Sequence, residues 1–205
     1  MDKNDNVLVF PVTFKNGQIG CQMNINNDQA TVADFLSAMD YFATIYLADC
    51  RGCDGCCHER APLTSIDISE LAQIVPSSDY PAHQVINSFG DIYIDDKGIV
   101  DITLRRENNG ACNLLCQNKK YCFAHNQRPF VCHSHFCIAR SNEIEQLRQI
   151  IVNHGENELV RLLAAEEAKG APMIVSNKIN IADYPSSPLS RAKSWHEVLL
   201  SDILL

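Results

Sequence analysis

Cys50-Arg51-Gly52-Cys53-Asp54-Gly55-Cys56-Cys57 puts four cysteines within eight residues, and the organisation of the chain is read outward from this stretch. No hydrophobic period of strand or helix runs from Cys50 to Pro62, so the segment reads as a loop wrapped around whatever it binds. Two-residue spacings let a chain fold back until successive sulfurs face one centre, and Gly52 and Gly55 supply the backbone freedom this needs. Four cysteines so close together are poorly placed to bridge one another. In a reducing compartment such spacing marks metal binding or redox chemistry, whereas in a secreted chain ten cysteines would suggest a disulfide framework.

The rest of the sequence favours the reducing compartment. Met1-Asp2-Lys3-Asn4-Asp5 leads into an apolar run from Val7 to Phe14 that contains Pro11 and lacks a small-residue cleavage site, so it reads as a strand and not a signal peptide. No stretch approaches the ~18 uninterrupted apolar residues of a membrane span. The expectation is a cytoplasmic protein with no membrane contact. At 205 residues and 46% hydrophobic, the chain can build an apolar core without disulfide staples.

Upstream of the loop, Val7–Phe14 and Gln18–Ile25 flank Lys15-Asn16-Gly17, a hairpin signal. Thr31 with Asp34 opens a helix in which Val32, Phe35, Leu36, Met39, Phe42, Ala43 and Tyr46 fall at helical spacing, ending near Ala48. Downstream, Thr64 with Asp67 opens a second helix through Ile68, Leu71, Ala72 and Val75. Pro81 starts a third, which ends at Gly90. Ile92 and Ile94, then Val100, Ile102 and Leu104, alternate around Asp95-Asp96-Lys97-Gly98 as a second hairpin. Asn108 to Cys137 is again irregular. Asn142 with Glu145 opens a fourth helix stopped at Gly155, and Glu158 to Lys169 makes a fifth. Asn177 to Pro188 is a loop rich in Ser and Pro. Ser194-Trp195-His196-Glu197 reads as a capping box for a last apolar helix ending at Leu205. The fold class is therefore α+β. We expect one compact domain over residues 1–205, made of several short helices and two β-hairpins, with two irregular cysteine-rich loops converging on a metal site. Its parts are an N-terminal hairpin and helix (7–48), a cysteine core (about 48–138) and a C-terminal helical part (141–205).

The second irregular stretch carries Cys112, Cys116, Cys122, Cys132 and Cys137 at loose spacings that acquire meaning beside the first cluster. Cys21, in mid-strand, reads as a small buried hydrophobe. The formal charge of −8 argues against a nucleic-acid partner. From Lys97 to Arg140, however, seven Lys or Arg face only Asp101 and Glu107. That local excess suits the negative charge of a thiolate–metal centre, and equally a solvated basic face. Zinc accepts four tetrahedral ligands and a cubane cluster four thiolates. The tight C-x2-C-x2-C run is nearer to ferredoxin spacing than to the separated pairs of a zinc ribbon, which favours a [4Fe–4S] cluster over Zn2+. Adjacent Cys56 and Cys57 are not expected to turn both sulfurs onto one small ion.

These residues resemble a known family. Cys50 to Cys57, followed by Pro62-Leu63-Thr64 and Asp67-Ile68, is similar to the CxxCxxCC cysteine-cluster, or YkgJ-like, family of zinc- or iron-chelating domains. Its second half also matches in Gly110-Ala111-Cys112, Cys122, Arg128-Pro129-Phe130-Val131-Cys132 and Cys137. The resemblance covers about residues 48 to 138. It implies Cys50, Cys53, Cys56, Cys57, Cys112, Cys122, Cys132 and Cys137 as metal ligands, with Cys116 a further candidate. Where the family commonly has Arg after the last motif's cysteine, this chain has His133, with His135 nearby. Either imidazole is a candidate nitrogen ligand or a hydrogen-bonded loop histidine.

Three functions follow as expectations. The first is an iron-sulfur protein with a redox or accessory role toward a protein partner. The second is a protein-modifying enzyme, since the resemblance extends to flagellin lysine N-methylases that use S-adenosylmethionine. The third is a structural zinc module that binds another protein. Against the enzyme stand the absence of a Gly-rich loop after a strand and of a C-x3-C-x2-C motif. No Ser-His-Asp or paired-carboxylate constellation stands out either. Asp95-Asp96 reads as a turn, and Glu166-Glu167 as a solvated helix face.

Overall fold

The computed structural model describes residues 5–47, 52–75 and 81–204. Alternating apolar residues at the N-terminus build an antiparallel pair, β1 (Val7–Thr13) and β2 (Ile19–Ile25), with Val7 opposite Ile25 and Thr13 opposite Ile19. Gly17 closes the turn at φ +79°, a conformation most side chains resist. Helix α1 (Val32–Tyr46) begins at the expected capping box. Asp34 N–H donates to Thr31 Oγ1 at 3.2 Å, and Thr31 N–H donates to the Asp34 carboxylate at 2.8 Å. The helix buries Val32, Phe35, Leu36, Met39 and Phe42. It gives way at Leu47, and the expected end at Ala48 lies outside the described residues.

The first cysteine loop holds a 3-10 turn at Gly55–His58. Helix α2 (Ser65–Ala72) then starts at a second capping box, Thr64 with Asp67. Helix α3 (Ala82–Phe89) follows Pro81 and yields at Gly90 to β3 (Gly90–Ile94). Strand β3 pairs antiparallel with β4 (Val100–Leu104), Ile92 opposite Ile102. The second cysteine stretch, expected to be irregular, contains a small third hairpin, β5 (Leu115–Cys116) with β6 (Tyr121–Cys122), and a one-turn helix α4 (Phe130–His133). A short strand β7 (Ala139–Arg140) lies parallel to β2, giving a sheet of order β1–β2–β7.

Two expectations about the C-terminal part are corrected. Residues Asn142–Glu167 form one 26-residue helix, α5, that runs straight through Gly155. Its N-cap is Ser141, not Asn142. Gly155 is buried where α5 meets the N-terminus of α2, and a Cβ there would overlap Thr64 Cβ and Cγ2. The glycine is a close-approach residue, not a stop. The last apolar helix is also absent as drawn. Trp195–Glu197 is a 3-10 turn, Leu199 bridges Thr31 in extended form, and only Leu200–Ile203 (α6) is helical. Val32 N–H donates to Val198 O and Leu200 N–H to Ala30 O, and these bonds hold the segment extended against the start of α1.

Glu166 and Glu167 are half-buried and committed to backbone amides, not left as a freely solvated helix face. The Glu166 carboxylate accepts Ala82 N–H (2.6 Å) and His83 N–H (3.1 Å) and contacts His83 Nδ1 (2.8 Å), capping α3 from another helix. The Glu167 carboxylate accepts the amides of Ile174, Val175 and Ser176 at 2.7–2.8 Å. Asp95 does serve the β3–β4 turn, accepting Lys97 and Ile99 amides.

Buried side chains gather in two clusters that α5 joins. Ile144, Leu147 and Ile151 pack with β1, β2, α1, Phe130 and the C-terminal turn. Leu159, Val160 and Leu163 pack with α2, α3, β3 and β4. Full burial of side chains such as Phe35, Phe42 and Leu159 contributes about 1.5–3 kcal/mol each. Among the described residues, no helix is long and apolar enough to cross a membrane.

Candidate metal centre

The 3-10 turn at Gly55–His58 brings Cys56 and Cys57 to the junction of both cysteine stretches. Cys112 N–H donates to Cys57 O at 2.7 Å, tying the turn to the segment after β4, while Gly52 N–H donates to Lys120 O at 3.1 Å at the tip of the β5–β6 hairpin. Asp54 reinforces that tip through Lys120 Nζ at 3.4 Å.

The adjacent Cys56 and Cys57 side chains are hydrogen-bonded to each other. The Cys57 sulfur is within electrostatic reach of Cys112, Cys122 and Cys132, and Cys132 within reach of Cys56, Cys112 and Cys122. Five thiols from three segments therefore share one neighbourhood. The bond from Cys56 holds the Cys57 thiol below its ordinary range, and raises that of Cys56 itself. Burial pushes up Cys132, Cys112 and Cys122.

Two of these sulfurs accept backbone hydrogen bonds from two residues downstream. Leu114 N–H donates to Cys112 Sγ at 3.4 Å, and Ala124 N–H donates to Cys122. Such bonds favour the thiolate over the thiol. Arg106 offsets negative charge at Cys112, and Arg128 does so at Cys56 and Cys122. The basic stretch between Lys97 and Arg140 thus supplies cations at the thiols.

The remaining candidates are placed differently. Cys53 and Cys137 are exposed, Cys116 is half-buried on β5, and Cys50 lies outside the described residues. His133 directs Nε2 at the Asp40 carboxylate at 2.8 Å. His135 is half-buried, and burial, followed by repulsion from Arg140 and Arg148, lowers its pKa. Cys21 is fully buried in the sheet. Among the described residues, no three His, Cys, Asp or Glu side chains stand at distances that would hold a metal ion. What the fold supplies is the donor chemistry: soft sulfurs converging beside cations and N–H donors, which fits zinc or iron held by thiolates.

Three carboxylates fix the segment carrying Cys132, and of them the sequence marked Asp67, within the family-like stretch, and Glu145 only as helix caps. Asp40 on α1 accepts Arg128 (2.5 Å) as well as His133, and its hydrogen bonds and ion pairs with both outweigh burial, leaving its carboxyl below the ordinary range. Asp67 accepts Phe130 N–H at 2.7 Å. Glu145 pairs with Arg140 and Arg148, and Arg148 donates to Ser134 Oγ at 2.9 Å. Asp67 carried a visible capping signal, but its second partner is 63 residues away.

The model of the CxxCxxCC family, described as "Putative zinc- or iron-chelating domain", matches residues 49–152, just over half of the chain. The chain belongs to the CxxCxxCC family. The matched region of this CxxCxxCC domain contains all five gathered thiols and the first ten residues or so of α5, including Arg148. Asp40 and the N-terminal hairpin lie outside it. No curated protein and no solved structure matches the chain.

Proposed function

We propose that this CxxCxxCC domain holds a [4Fe–4S] cluster on its cysteine thiolates and serves a redox or accessory role toward a cytoplasmic protein partner. The observation that carries the reading is the gathering of Cys56, Cys57, Cys112, Cys122 and Cys132 from three segments, while His133 is engaged by Asp40. Five sulfurs exceed the need of one zinc ion, and the family pattern adds Cys50, Cys53 and Cys137. When bound, such a cluster supplies one-electron exchange. The chain's own contribution is to hold the donors, to stabilise thiolates at Cys112 and Cys122 through amide N–H groups, and to balance their charge with Arg106 and Arg128.

A structural zinc site is the second reading. The packing of Cys112, Cys122 and Cys132 against the second core favours it, since closed zinc sites sit within the folding unit they support. Methyl transfer from S-adenosylmethionine rests on the resemblance to flagellin lysine N-methylases alone, and titration of the full chain with that cofactor tests it.

Metal and acid-labile sulfide analysis of protein purified without oxygen separates the first two readings. The expected result is a brown protein with about four iron and four sulfide per chain. A colourless protein holding about one or two zinc per chain and no sulfide overturns the cluster in favour of the zinc site.

A further inference from the structure

Asp67 is fully buried, and both of its carboxylate oxygens are committed to backbone N–H groups from different parts of the chain. One oxygen accepts Thr64 N–H at 2.9 Å and closes the capping box of α2, the helix that follows the first cysteine loop. The other accepts Phe130 N–H at 2.7 Å, at the first residue of α4, the turn that carries Cys132. Pro129 precedes Phe130, so the amide of Phe130 is the first N–H that α4 can offer, and α4 has no capping side chain of its own. The other anchors of α4 come from α1 and α5, through Asp40 and Arg148. Among these anchors, Asp67 alone reaches the element that continues from Cys56 and Cys57.

We propose that Asp67 is a positioning residue for the thiol cluster: its buried carboxylate ties the start of α2 to the start of α4 and so sets the separation between the Cys56–Cys57 half and the Cys132 half of the donor set. This inference rests on the metal-binding reading. Burial also pushes the Asp67 carboxyl up to about 6, despite the amide donors, as befits a group kept in an apolar interior for the bonds it makes.

The chain contains its own control. Thr31 and Asp34 form the same capping box at the start of α1, without a bond to α4. Co2+ reports thiolate coordination by its charge-transfer and ligand-field bands, so the full chain is titrated with Co2+ as wild type, Asp67→Asn and Asp34→Asn. Asparagine keeps the volume but cannot accept at both positions. The expected result is a ~10–100-fold loss of Co2+ affinity with altered bands in Asp67→Asn, the scale of lost outer-sphere partners. Asp34→Asn should bind as wild type whatever thermal stability it loses. Equal affinity and identical bands in both variants overturn the inference and leave Asp67 a helix cap. A wild-type chain that takes up no Co2+ and carries no iron, sulfide or zinc as purified overturns the metal-binding reading itself. Should Asp67→Asn fail to fold, amide exchange on the wild type decides. Metal binding should then slow exchange at Thr64 and Asp67 as well as at residues 130–134, because coupling through one carboxylate is reciprocal. Slowing confined to residues 130–134 overturns it.

Discussion

Cysteines in this chain divide by environment. Cys21 is sealed in the sheet between β1 and β7, and burial raises its thiol pKa, so it acts as a small apolar side chain. Cys56 and Cys132 lie in the five-thiol neighbourhood. Cys56→Ser and Cys132→Ser should each abolish stoichiometric metal, measured by elemental analysis. Cys21→Ser should keep full metal content and cost about 1–3 kcal/mol in stability, because it buries an unpaired hydroxyl. Retention of metal by both ligand variants would show the assignment to be wrong. Glu156 on α5 makes a separate prediction. Burial and the nearby Asp101 raise its carboxyl to about 7, with Arg60, paired to Asp101, pulling the other way. The folded state therefore binds this proton more tightly than the unfolded chain. The associated stability is present below about pH 4.3 and is lost as pH rises through about 7. Glu156→Gln mimics the protonated form, so urea denaturation should find the variant more stable by about 2 kcal/mol at pH 8 and little changed at pH 4.

Elements in this fold are started locally and finished by neighbours. Thr31 and Asp34, like Thr64 and Asp67, nucleate their helices with side chains three residues apart, a signal any reader of the sequence can see. Helix α3 instead takes its cap from Glu166, more than 80 residues away. Gly155 marks the same division. Glycine after an apolar helical run ordinarily signals a stop, but its missing side chain here lets α5 lie directly against Thr64. In a solvent-facing helix, Gly→Ala would gain about 1 kcal/mol. Gly155→Ala should reverse that sign and destabilise the chain by about 1–3 kcal/mol, because the added methyl overlaps Thr64 and must displace the start of α2. Chemical denaturation checks it, and a stabilised variant would mean the contact is looser than it stands.

Across the whole molecule, the thiols join segments that backbone pairing links only through isolated bridges. Cys57, Cys112 and Cys132 are far apart in sequence, and a metal on them would close long loops of the unfolded chain. Removing metal with a strong chelator should cost several kcal/mol, lowering the melting temperature by about 10 °C at about 2–4 °C for each kcal/mol. The loss should be uneven. Cys112, Cys122 and Cys132 pack against the second core, so amide exchange should accelerate in β3 and β4 while β1 and β2 keep their protection. A melting temperature indifferent to the chelator would argue against a structural part for the metal.

The sequence by itself determined both long hairpins, the capping boxes of α1 and α2, the α+β class and the supply of thiols beside cations. Each of these depends on residues within a few positions of one another, where steric and hydrogen-bonding preferences act without help. Tertiary structure decided the rest. It decided that α5 passes through Gly155, that Glu166 and Glu167 cap other segments, and that Val198 and Leu199 stay extended against α1 between a 3-10 turn and the short α6. It turned Cys56 and Cys57 toward each other, gave His133 to Asp40 and committed Asp67 to Phe130. Apart from Glu167 and the Cys56–Cys57 pair, whose partners are near in sequence, the deciding partner lies tens of residues away, and a buried polar group takes whichever partner packing brings to it, because leaving it unpaired in an apolar interior costs about 1–3 kcal/mol.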